Sequence, residues 1–69
     1  MSLRVIVEAG TGYKGDQYRV LAYGQGPAPY RQTGWWLHSL YSTLAAAQRE
    51  RERLLRQGGR VEGGRVVPA

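Results

Sequence analysis

Leu3, Val5, Val7 and Ala9 alternate with Arg4, Ile6 and Glu8 at the start of the chain. A period of two built on β-branched residues predicts a strand. A second alternation runs from Gln17 to Tyr23, with Tyr18, Val20 and Ala22 toward one side and Arg19, Leu21 and Tyr23 toward the other. Gly10, Gly12 and Gly15 separate the two runs, so an antiparallel hairpin is the natural reading. Residues 35–41, WWLHSLY, predict a third strand, aromatic and largely apolar. Before it, residues 24–34 (GQGPAPYRQTG) bring three glycines and two prolines. Pro27 and Pro29 cannot donate to a ladder, so this stretch is expected to be an irregular loop, a flap or a binding loop.

The period changes to 3.6 after Tyr41. Ser42 or Thr43 is a ready N-cap, Ala45, Ala46 and Ala47 favour helix, and Gly58–Gly59 stop it after Gln57, with Gly58 at the C′ position. Leu44, Ala47, Leu54 and Leu55 form the expected apolar stripe. Arg51 falls in its middle. Its stem could pack while the guanidinium reaches water, it could pair with an acid such as Glu8, or the helix face could meet another subunit there. Residues 60–67 (RVEGGRVV) predict one strand near Val61 that joins the sheet, with 63–69 as a frayed tail; a tight hairpin about Gly63–Gly64 is the alternative. The sum is α+β: one small domain over 1–69, a small antiparallel sheet of three to four strands (β-hairpin, β, α, β) with one helix packed on one face.

Composition narrows the partners. The 69 residues contain no cysteine, two Trp and five Tyr, and carry a net charge of +5 from nine arginines and one lysine against five acids. A chain this short buries only about 60% of its unfolded surface, and no disulfide or thiolate metal site supplements that core. The basic balance points to nucleic acid, an acidic protein surface or a membrane surface. No apolar run approaches the roughly 18 residues of a membrane span, and the N-terminus does not read as a signal peptide. The expectation is a cytoplasmic protein without a membrane partner.

Catalytic and ligand signatures are sparse. Gly10-Thr11-Gly12-Tyr13-Lys14-Gly15 matches G-x-G-x-x-G, but a dinucleotide site needs a helix after it and the next segment reads as a strand. It is expected to serve as a glycine-rich hairpin connection, leaving a phosphate-touching nest at Lys14 as the residual reading. His38 is the only histidine. Ser39 beside it would point to the opposite face of a strand, and Glu50 and Glu52 diverge on the helix. No metal-ligand spacing appears. The chain is therefore expected to have no enzymatic activity, metal or cofactor.

Aromatics and arginines carry what remains. Arg49, Arg53 and Arg56 are spaced i, i+4, i+7 and stack into a ridge; an amphipathic helix also shows such a solvated face, and Glu52 can dilute it. One helix covers only one sheet face. If Trp35, Leu37 and Tyr41 turn toward it, then Trp36, His38 and Leu40 turn away. With Arg4, Arg19 and Tyr23 they would form an open aromatic and basic face able to stack bases and hold phosphate. A second subunit, or the 24–34 loop, could cover that face instead. Three strands and then a helix, with a Trp-rich third strand running into Tyr-Ser-Thr-Leu-Ala, is similar to the small sheet-plus-helix DNA-binding domains of the integrase-arm type over about residues 18–58. That likeness is one of shape, and fold alone does not imply function. The expectation is a small basic non-catalytic module that contacts DNA or RNA, with Arg19, Arg49, Arg53 and Arg56 on phosphates and Trp36 and Tyr23 stacking or wedging. The alternative is a protein-interaction or self-associating accessory protein, a homodimer with the open sheet face and Trp36 buried between chains.

Overall fold

The computed structural model describes residues 3–12 and 15–69. Its elements run β1 (Val5–Gly12), β2 (Gly15–Gln25), β3 (Thr33–Tyr41), α1 (Leu44–Gln57), β4 (Arg60–Glu62) and β5 (Arg65–Val67). The α+β expectation holds: β1, β2 and β3 form an antiparallel sheet with β2 central, and α1 packs on it. The glycine-rich stretch connects strands, as its composition implies, because Gly10 and Gly12 belong to β1 and Gly15 pairs with Gly12 across the hairpin. Tyr13 and Lys14, and with them the phosphate-nest reading, lie outside the described residues.

The end of the chain corrects the single-strand reading. β4 and β5 form a two-stranded sheet of their own, closed by Gly63 and Gly64 at φ 63° and 77°. Two consecutive positive φ values make the two-residue turn that matches strand twist, and glycine adopts them without a Cβ penalty. This hairpin is tied to β2 by the Gly64 N–H, which donates to Gln25 O at 2.9 Å. The 24–34 stretch is also more ordered than its composition suggests. The strands extend into it from both sides, leaving residues 26–32, which close on themselves through Gly26 N–H to Gln32 O at 2.8 Å and Arg31 N–H to Pro27 O at 3.1 Å.

The core lies on one side of the sheet. Leu3 and Val5 lead into and along β1, Val20 and Ala22 come from β2, Ala47 and Leu54 from α1, and Val61 from β4; all seven are buried in one cluster. The helix begins at Thr43, whose Oγ1 accepts from the Ala46 N–H at 3.2 Å, and ends where the Gly58 N–H donates to Leu54 O at 2.9 Å. Its apolar stripe is narrower than the sequence suggests. Leu44 and Leu55 are exposed, and only Ala47 and Leu54 are buried. The molecule is consequently thin, with Cα extents of 33 × 27 × 12 Å.

Candidate functional sites on the two faces of the sheet

A β-bulge decides which aromatic residues face solvent. Arg19 pairs with Leu40 and Val20 with Ser39, but Leu21 pairs with Leu37. One extra residue, at His38–Ser39, therefore interrupts the alternation of β3, and a one-residue offset exchanges faces for everything beyond it. Trp36, His38 and Tyr41 turn toward the helix side. Trp35, Leu37 and Leu40 turn away from it and are 38%, 51% and 50% exposed.

This corrects the placement of Trp36. Its ring packs against the core cluster, and its indole Nε1–H donates to Gly24 O at 3.0 Å. It is a support for the β4–β5 hairpin, whose Gly64 lies against the ring, and it is not offered to a stacking base. Trp35 takes its place on the open face, with Tyr23 edge-on at 5.2 Å between centroids. The Arg4 guanidinium lies over both rings, at 4.6 Å from Tyr23 and 5.3 Å from Trp35. Arg19 is on the same face, joined to Glu8 of β1 by an ion pair.

The helix ridge is a separate surface. Arg49, Arg53 and Arg56 line one shallow groove of about 380 Å³ with Tyr41 at the end of β3, Ala46 and Glu50. Arg53 is held there: its guanidinium donates to both Glu50 oxygens and to Gln57 Oε1. That bonding, opposed by partial burial and helped by His38, draws the Glu50 carboxyl from 4.5 down to about 2, and the carboxylate in turn raises Arg53. No carboxylate is bonded to Arg49 or Arg56 among the described residues. Of the six residues singled out from sequence, the fold thus gathers Arg49, Arg53 and Arg56. It leaves Arg19 and Tyr23 on the opposite face and Trp36 packed against the core.

His38 and Glu50 form a contact that strand and helix periodicity could not reveal. The bulge points His38 at α1, and its Nε2 sits 3.0 Å from Glu50 Oε2. A carboxylate only accepts, so Nε2 carries the hydrogen. No serine or threonine is bonded to this pair among the described residues, and Ser39 Oγ is buried without a partner. No group of three His, Cys, Asp or Glu is placed to hold a metal among those residues, and no described helix is long and apolar enough to cross a membrane.

By its architecture the chain is a small α+β domain. No family model matches it, and neither a curated protein nor a solved structure does.

Proposed function

We propose that this chain is a non-catalytic binding module that contacts nucleic acid, with the groove of Arg49, Arg53 and Arg56 as its phosphate seat. The observation that carries the reading is that three guanidiniums share one groove with one carboxylate, Glu50, which Arg53 and His38 already engage. Arg49 and Arg56 have no carboxylate bonded to them among the described residues. Arg53 is pre-organised by Glu50 and Gln57, which lowers the entropy lost on gripping a phosphate. Tyr41, half-buried against the core cluster, lines the end of the groove without presenting a free ring to a base. Trp35 and Tyr23 are not part of this surface, because the sheet stands between them and the groove.

Such a site contacts the backbone and reads no base edge, so it binds without strong sequence preference. Fluorescence anisotropy with labelled single- and double-stranded oligonucleotides tests it. Dissociation constants in the roughly 1–100 μM range are expected, tightening steeply as salt is lowered. No association with DNA or RNA at low salt removes the reading.

A further inference from the structure

Three successive rows run across the strands of the open sheet face, between the Gln25–Thr33 and Gly10–Gln17 pairs. The end row is Arg4, Tyr23 and Trp35, linked by the Tyr23 N–H to Arg4 O bond and the Tyr23–Trp35 register. The middle row is Ile6, Leu21 and Leu37. The far row is Glu8, Arg19 and Leu40. The middle row has no polar side-chain atom, while a cationic residue lies at one β1 end of the grid and an anionic one at the other.

We propose that this face docks a second copy of the chain, related by a two-fold axis that lies between the two sheets, runs across the strands and passes over the middle row. Rotation about that axis reverses each strand over its own equivalent. Ile6, Leu21 and Leu37 then meet the same residues of the other copy, so the apolar row closes on itself. Arg4 comes over the partner's Glu8, and Tyr23 over the partner's Arg19. Trp35 comes over the partner's Leu40. Opposite charges and cation–π partners thus meet at both ends without any rearrangement of the rows. An isologous contact requires such self-matching, whereas an unrelated partner does not.

The chain exposes 5009 Å², more than the about 4,300 Å² of a compact chain of its 7.7 kDa, as its thin shape requires. Two such sheets packed about 10 Å apart form an ordinary aligned sandwich with a helix on each outer side. A polyanion suits the face less well. Its middle row carries no cation, so phosphates would have to desolvate over Ile6, Leu21 and Leu37.

Sedimentation equilibrium of the full chain, without nucleic acid, from about 1 to 500 μM tests this directly; a standard-size but flat interface is expected to give a micromolar dissociation constant. The mass should rise with concentration toward twice 7.7 kDa. Leu37→Asp places two carboxylates on the axis and should weaken association by at least about 100-fold. Leu40→Ser, a milder change at a half-exposed site, should weaken it about tenfold, and far-UV circular dichroism confirms that each variant folds. Arg4→Glu and Glu8→Arg should each weaken self-association about tenfold by creating like-charge pairs. An equimolar mixture of those two variants should re-associate to within about threefold of the native chain, because the crossed contact is restored. A mass that stays monomeric throughout overturns the proposal, as does a dimer indifferent to Leu37→Asp and Leu40→Ser, or a mixture that fails to re-associate. None of these outcomes bears on the arginine groove, which lies on the other side of the sheet.

Discussion

Arg51 Nε on the helix donates to the main-chain oxygen of Val5 at 2.9 Å, joining positions 46 residues apart. No acid, Glu8 included, is paired with this guanidinium among the described residues. The Tyr23 N–H donates to Arg4 O, so the next carbonyl, Val5 O, faces the free side of β1. An arginine in the middle of an apolar stripe therefore completes a strand edge that would otherwise lack a partner, and it shields that edge from pairing with another chain. Arg51→Met keeps most of the packed stem and loses the charged donor, which should cost about 1–2 kcal/mol. Arg51→Ala also removes the stem and should cost more, about 2–3 kcal/mol. For a domain of this size each kcal/mol lowers the melting temperature by roughly 4–8 °C, so thermal denaturation resolves the two variants. Equal losses would mean that the stem contributes nothing.

Gly26 is buried under Trp36, and a Cβ there would overlap the indole ring. The ring cannot retreat easily, because Nε1 is bonded to Gly24 O and Gly64 lies on another side. Gly26→Ala is expected to destabilise by about 1–3 kcal/mol through overpacking and to change the near-ultraviolet circular dichroism of Trp36. Ala28→Gly, in the exposed turn of the same loop, should leave both signals within experimental scatter.

How far the fold was legible depended on whether a rule was local. Strand alternation at Val5–Val7 and Val20–Ala22, the Thr43 cap and the Gly58 stop are local, and each is found where the residues imply. The facing of β3 is not local. It turns on the extra residue at His38–Ser39, which no composition signal marks, so strict alternation placed Trp36 on the open face and Trp35 on the covered one. The same bulge brings His38 to Glu50, a contact that depends on how the helix lies across the sheet. Gly63–Gly64 carries a local hairpin signal, since two adjacent glycines between valine-bearing pairs are turn chemistry, and β4 and β5 close around it. In the groove, the spacing of Arg49, Arg53 and Arg56 was readable, whereas Tyr41 joins them only through the tertiary fold.

Acid should weaken the fold through Glu50. Its carboxyl is held at about 2 against an ordinary 4.5, chiefly by Arg53 and secondarily by His38, with burial opposing both. In the unfolded chain that group binds its proton at a higher pH, so its stabilisation is fully present above about pH 4.5. It diminishes as the pH falls toward 2. Arg53 is half solvated, which limits the effect to on the order of 1–2 kcal/mol. Urea midpoints measured at intervals between pH 5 and pH 2 should decline more steeply for the native chain than for Glu50→Gln. Parallel curves would show that Glu50 keeps an ordinary carboxyl affinity for protons.

The arginine groove makes a prediction about salt that the open sheet face does not. Each phosphate neutralised releases condensed counterions, so the slope of log affinity against log salt counts contacts: about 0.9 per phosphate on duplex DNA and about 0.7 on single strands. Arg49→Ala and Arg56→Ala should each lower that slope by roughly one contact, and their combination by roughly two, because neither side chain is bonded to an acid among the described residues. Arg53→Ala should cost more affinity than either. It removes one cation and leaves Glu50, still bonded to His38, as a negative group inside the groove. Arg19→Ala, across the sheet and already paired with Glu8, should leave the slope unchanged. A slope lowered equally by Arg19→Ala and Arg49→Ala would mean that affinity follows net charge alone and that the groove is not the phosphate seat.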